Sequence, residues 1–66
     1  MQVFLNGKAI DLEESSRLLV LLENQGLDLR GVALALNGKV LIKARWQEQS
    51  LVEGDRIEAV RAVGGG

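Results

Sequence analysis

The chain has 66 residues, 47% of them apolar and 26% charged, with a formal net charge of −1. That length holds one domain with one core, burying about 60% of its unfolded surface and stable by ~5 kcal/mol, with little room for an enclosed active site. The balanced charge and only two aromatics, Phe4 and Trp46, leave no footprint for nucleic acid, and the absence of Cys and His excludes disulfides, thiolate nucleophiles, zinc centres and a histidine base.

Val3-Phe4-Leu5 is β-prone and runs into Asn6-Gly7. Asn-Gly between apolar-patterned segments predicts a tight hairpin, because both residues tolerate positive φ. The return segment, 8–13, alternates, with Ile10 and Leu12 on one face and Asp11 and Glu13 on the other. Ser15 or Ser16 is expected to cap a helix over 17–25, with Glu13 and Glu14 at its positive end and Gly26 at the C′ position. Leu18, Leu21 and Leu22 share one helical face, and 27–31 reads as a loop.

Next, Val32, Leu34 and Leu36 alternate with Ala33 and Ala35, which predicts a strand with the larger residues facing inward. A second Asn-Gly, Asn37-Gly38, turns the chain into a short strand over 39–42. Residues 43–49 read as a turn of helix or irregular chain, with Trp46 a half-buried lid on the core. Glu53-Gly54-Asp55 is a turn. The last strand, 56–63, puts Ile57 and Ala59 on one face and Glu58, Val60 and Ala62 on the other. The expected core is Val3, Leu5, Ile10, Leu12, Leu18, Leu22, Leu34, Leu36 and Ile57.

This order predicts an α+β fold, a mixed sheet of four to five strands with one helix across one face. A helix between a hairpin and a strand acts as a crossover. The simplest closure sets the first and last strands side by side and parallel in the middle, which is the β-grasp. The domain is expected to span 1–62, and 63–66 a flexible glycine-rich tail.

The longest apolar run, 18–22, is far short of a membrane span. Met1-Gln2-Val3-Phe4 lacks the charged start of a signal peptide. A cytoplasmic protein with no membrane partner is expected. The carboxylates have no metal-ligand spacing, and Ser15-Ser16 have no base to activate them, so no catalytic residue or metal site is assigned and an autonomous enzyme is not expected. What remains is the end, Val63-Gly64-Gly65-Gly66. Glycines gain no packing and lose the most backbone freedom on ordering. The end is therefore either an inert terminus or a working group. In the second case the Gly66 α-carboxylate is presented on the slimmest peptide that threads into another protein's active site.

The opening Met-Gln-Val-Phe-Leu, the hairpin-helix order, Glu53-Gly54-Asp55 and the glycine end together resemble the ubiquitin-like β-grasp superfamily. Within it the whole sequence resembles the ThiS-type sulfur carriers of thiamine biosynthesis. The matching segments are Val32-Ala33-Leu34-Ala35-Leu36-Asn37-Gly38, Arg45-Trp46, Glu53-Gly54-Asp55-Arg56-Ile57-Glu58, and Val60-Arg61-Ala62-Val63-Gly64-Gly65-Gly66. Two departures are the lack of a proline at Ile42 or Lys43 and a glycine, Gly64, before the final pair. The resemblance implies that an E1-like, ThiF-type enzyme adenylates Gly66 with ATP, which the partner consumes and this protein does not hold as a cofactor. Sulfur from a persulfide donor then gives a thiocarboxylate, used by a ThiG-type thiazole synthase. Gly66 is the expected modified residue, with Gly65 and Gly64 threading. The sheet face carrying Phe4, Ala33, Ala35, Val60 and Ala62 is expected to meet partners. A molybdopterin synthase small subunit-like carrier, another biosynthetic sulfur carrier, a protein-conjugating modifier, and a β-grasp binding module with an inert tail remain open alternatives.

Overall fold

The two Asn-Gly pairs set the frame. In the computed structural model, which describes residues 1–61, Asn6 and Gly7 have φ of 50° and 84°, and Asn37 and Gly38 have 51° and 85°. Both residues of each pair occupy the left-handed region, so each hairpin closes through a two-residue turn whose twist matches its strands. Strand β1 (Gln2–Leu5) returns as β2 (Lys8–Asp11), and β3 (Val32–Leu36) returns as β4 (Lys39–Leu41). The last strand, β5 (Arg56–Arg61), joins the two hairpins. It lies parallel to β1, with Phe4 opposite Arg56, and antiparallel to β3 from Val32–Arg61 to Leu36–Ile57. The strand order is β2-β1-β5-β3-β4, five strands in one mixed sheet. This is the expected β-grasp, with the first and last strands parallel at its centre.

One helix, α1 (Leu18–Asn24), covers one face of the sheet. Leu18, Leu21 and Leu22 are buried along it, at the spacing that puts them on one stripe. Gly26, at φ 67°, ends the helix. Its N–H donates to the Glu23 carbonyl, and the Leu27 N–H donates to the Leu22 carbonyl. This paired arrangement satisfies the last turn.

The start of α1 differs from expectation. Neither serine caps it: Arg17 occupies the cap position and makes no side-chain cap bond. Ser15 sits at φ 67° in the preceding turn, and the Ser16 hydroxyl donates backward to the Glu13 carbonyl at 2.7 Å. The first helical amide, Leu18 N–H, instead donates to the Gln49 carbonyl at 2.9 Å, and Leu51 N–H donates to the Ser16 carbonyl. A distant backbone segment does the capping, which a local serine signal does not foresee.

That same segment corrects the expected core. The buried set is Val3, Leu5, Leu12, Leu18, Leu21, Leu22, Leu34, Trp46, Leu51 and Ile57, with Ile10 and Leu36 only partly buried against it. Trp46 is 4% exposed rather than half-buried. It sits in a 3-10 helix (Lys43–Glu48), and its indole N–H donates to the Leu41 carbonyl at 2.8 Å. The bond satisfies the one polar atom of the ring, so the whole indole can leave water. Among the described residues no helix is long and apolar enough to cross a membrane.

Leu22→Ala removes a fully buried side group at the helix–sheet contact. It is expected to cost about 2–5 kcal/mol, whereas Val20→Ala, at a residue 45% exposed, should stay within about 0.5 kcal/mol. Urea unfolding followed by Trp46 fluorescence checks both.

Candidate functional site

Strand β5 leads directly into the glycine end. Residues 62–66 lie outside the described residues, and with them the expected tail and four site residues, Ala62, Gly64, Gly65 and Gly66. What the structure describes is the strand from which that end departs and the sheet face beside it.

Strand β5 is held on both edges, partly by side chains. On the β3 side, ladder pairing runs to Arg61. On the β1 side, parallel pairing stops at Leu5–Ile57 because the backbone turns into β2. Asn6 fills the gap: its Oδ1 accepts the Ala59 N–H at 2.9 Å, and its Nδ2 donates to the Ala59 carbonyl at 3.4 Å. The carboxamide serves Ala59 as a strand residue would. Asn37 acts at the other end of β5. Its Oδ1 accepts the Arg56 N–H at 2.9 Å, and its Nδ2 donates to Asp55 Oδ1 at 2.9 Å. Asp55, 8% exposed, uses Oδ2 to accept the Val52 N–H. This closes the Glu53-Gly54-Asp55 turn, in which Gly54 has φ 86°.

A second cluster stands where β5 reaches Arg61. The Arg61 guanidinium donates to the Asp28 carbonyl at 3.0 Å. The Asp28 carboxylate accepts two bonds from the Arg30 guanidinium, at 3.1 and 2.9 Å, and a third from the Arg30 backbone N–H. The Arg30 guanidinium beside it holds the Asp28 carboxyl below its ordinary value of 3.8, helped by the Arg30 amide and the charge of Arg61.

The sheet face away from α1 carries the expected partner surface. Val3, Leu5, Leu34 and Ile57 are buried toward the helix, so alternation turns Phe4, Ala33, Ala35, Glu58 and Val60 to the open side. Ala33 lies directly opposite Val60, and Ala35 is flanked by Glu58 and Val40. Phe4 is half-buried, lies between Ala9 and Arg56, and stands apart from Ala33 and Ala35. Arg56 and Glu58 occupy β5 between Phe4 and the Ala33–Ala35–Val60 cluster, so the face holds two apolar areas with a charged pair between them.

The larger area has a member that the sequence reading does not assign. Val40 is 80% exposed beside Ala35, and Ile42, just past the end of β4, is 61% exposed. The signal is the period-2 pattern of Lys39, Val40 and Leu41, which puts Val40 on the same face as Ala35 once the Asn37-Gly38 turn fixes the register.

A model of the ThiS family matches residues 3–66. The protein belongs to the ThiS family. It is 36% identical over 64 residues to the sulfur carrier protein ThiS of Thermus thermophilus, covering 97% of this sequence and 98% of that one. It is also 30% identical over all 66 residues to a thiazole synthase of Paramagnetospirillum magneticum, of which it spans 20% of the length. The crystal structure of the thiamine biosynthesis protein ThiS from Geobacter metallireducens superposes with a TM-score of 0.86 at 29% identity, and the match covers 100% of both proteins. The family resemblance drawn from the sequence is borne out, and the β-grasp architecture with it.

Because the folded state favours ionised Asp28, the stabilisation it supplies is present above the ordinary value and is lost as pH falls through the lower folded value. Carbon-detected NMR titration is expected to place the Asp28 midpoint below 3.8. Arg30→Ala should move it back up toward that value.

Proposed function

We propose that this ThiS-family protein is a sulfur carrier for thiazole formation in thiamine biosynthesis, working through the Gly66 carboxylate. The observation that carries this reading is the family match, which runs along the whole fold and through the glycine end. The Thermus relative named as a sulfur carrier, matched over nearly its full length, supports it.

The chemistry follows from the end group. A carboxylate does not exchange its oxygen for sulfur unaided, because oxide is a poor leaving group. An E1-like, ThiF-type enzyme that transfers AMP from ATP to the Gly66 carboxylate, releasing pyrophosphate, turns that oxygen into part of a good leaving group. A persulfide donor then attacks the acyl carbon and AMP departs. The product is an acyl disulfide. A thiol attacks the donor's sulfur, and the S–S bond to the acyl sulfur breaks. The thiol and donor end as a disulfide while Gly66 keeps a thiocarboxylate, whose sulfur a ThiG-type thiazole synthase takes. Gly65 and Gly66 leave the acyl carbon unhindered, and four residues from Val63 span ~13 Å when extended. The carrier contributes no catalytic residue: the ATP is the partner's substrate, and the carrier supplies an accessible carboxylate and a surface for docking.

The open sheet face is the proposed docking surface, centred on Ala33, Ala35 and Val60 and flanked by Phe4. Exposed apolar residues gathered on one face mark interaction sites when they form a contiguous patch. The match to part of a thiazole synthase supports that class of partner.

Incubation with ATP, an E1-like adenylating enzyme and a sulfide source should raise the intact mass by the difference between sulfur and oxygen. Deletion of Gly66 should abolish the shift. An unchanged mass with an enzyme that charges another ThiS-family carrier would favour a binding module with an inert end. Separately, Val60→Asp and Phe4→Asp should each weaken charging by roughly tenfold or more through KM, with far-UV circular dichroism unchanged. Normal charging and normal acceptor binding by both folded variants would remove the sheet face from the mechanism.

A further inference from the structure

The sequence holds two Asn-Gly pairs, and both asparagines use each end of the carboxamide in a bond to β5 or Asp55. We propose that Asn37 is a site of spontaneous deamidation that the folded state holds shut, and whose product breaks the lock on Asp55.

In an Asn-Gly sequence the glycine backbone nitrogen attacks the asparagine Cγ. A new bond forms between that nitrogen and Cγ, the Cγ–Nδ2 bond breaks, and Nδ2 leaves as ammonia, taking up the proton from the glycine N–H. Water opens the resulting succinimide at either carbonyl, giving aspartate or isoaspartate. The net reaction consumes one water and releases one ammonia, with no oxidant or reductant. Glycine makes the attack easy because no Cβ obstructs its nitrogen.

The fold opposes that attack at Asn37. Its Oδ1 accepts the Arg56 N–H and its Nδ2 donates to Asp55 Oδ1, each at 2.9 Å. Its backbone N–H donates to the Arg56 carbonyl at 2.7 Å. Swinging Cγ onto the Gly38 nitrogen breaks both carboxamide bonds and leaves the largely buried Asp55 carboxylate without one of its two donors. The reaction therefore has to pass through an opening of the β3–β4 turn.

The product is not equivalent to the starting residue. An aspartate at 37 still accepts the Arg56 N–H, but an oxygen replaces the Nδ2 donor and faces Asp55 Oδ1. Two carboxylates sharing one site cannot both ionise without cost. Asn6 differs: its better bond is as an acceptor, and the donor bond it would lose is 3.4 Å long. Isoaspartate at either turn adds a backbone atom that the two-residue hairpin does not accommodate. Damage at Asn37 thus lowers stability, and the lowered stability opens the remaining intact pair to the same reaction.

The test compares the intact protein in buffer with the same protein held unfolded in urea, with aspartate and isoaspartate at 37 quantified by peptide-mapping mass spectrometry. Formation in the folded state should be at least about tenfold slower. Equal rates would overturn the proposal. In parallel, Asn37→Asp should unfold at lower urea than Asn6→Asp. Adding Asp55→Asn to Asn37→Asp restores a donor–acceptor pair with the roles exchanged, and should recover most of the loss. If Asn37→Asp fails to fold, recovery of folding in the double variant supports the proposal equally well. An Asn37→Asp variant as stable as Asn6→Asp, or a double variant no better than the worse single variant, would overturn it.

Discussion

A strand in the middle of a sheet must satisfy hydrogen bonds along two edges, and the rest of this structure depends on how β5 does so. Strand β3 supplies one edge as a continuous antiparallel ladder. Strand β1 supplies only part of the other, because it has to turn back into β2. An N–H left unpaired at Ala59 would weaken the centre of the sheet. The carboxamide of Asn6 prevents this from within the turn that causes the shortfall. The same residue type, in the same turn geometry, secures the start of β5 through Asn37 and Asp55. Each Asn-Gly pair therefore does two jobs: its backbone reverses direction and its carboxamide joins the hairpin to the central strand.

The architecture is legible because its signals are local. Asn6-Gly7 and Asn37-Gly38 announce hairpins, Gly26 announces a helix end, and alternation at Val32–Leu36 and from Arg56 onward announces strands with one buried face. Where legibility fails, the deciding partner is distant in sequence. The Ser15 and Ser16 capping signal is overridden by the Gln49 carbonyl, which becomes available only after the backbone has passed through β3 and β4. Leu51 carries no periodic context of its own, yet the same backbone pairing draws it into the core. Trp46 lies deeper than its sequence context suggests because its depth depends on a carbonyl, that of Leu41, at the end of a strand whose extent the sequence defines poorly.

The open face is legible residue by residue but not as a surface. Alternation correctly assigns Phe4, Ala33, Ala35 and Val60 to one side. The relative stagger of parallel β1 and antiparallel β3 against β5 is a tertiary quantity, and it decides which residues are neighbours. That stagger sets Arg56 and Glu58 between the phenylalanine and the alanines. A partner that covers the whole face must bury or bridge a cation and an anion as well as apolar groups. Charge placement, more than apolar area, then governs which partners fit.

The last of the described strands to be made is also the central one, and this has a consequence for synthesis. Until residues 56–61 leave the ribosome, β1–β2 and β3–β4 are two separate hairpins with no strand between them, and isolated hairpins are at best marginally stable in water. Closing β1 onto β5 joins segments some fifty residues apart, the kind of contact that is formed late and slowly. Folding must therefore wait for β5 to appear. A product cut short before β5 would lack both a completed sheet and the glycine end, and would be exposed to proteolysis in an unfolded state. The topology thus makes a folded domain a certificate that residues 56–61 have been translated.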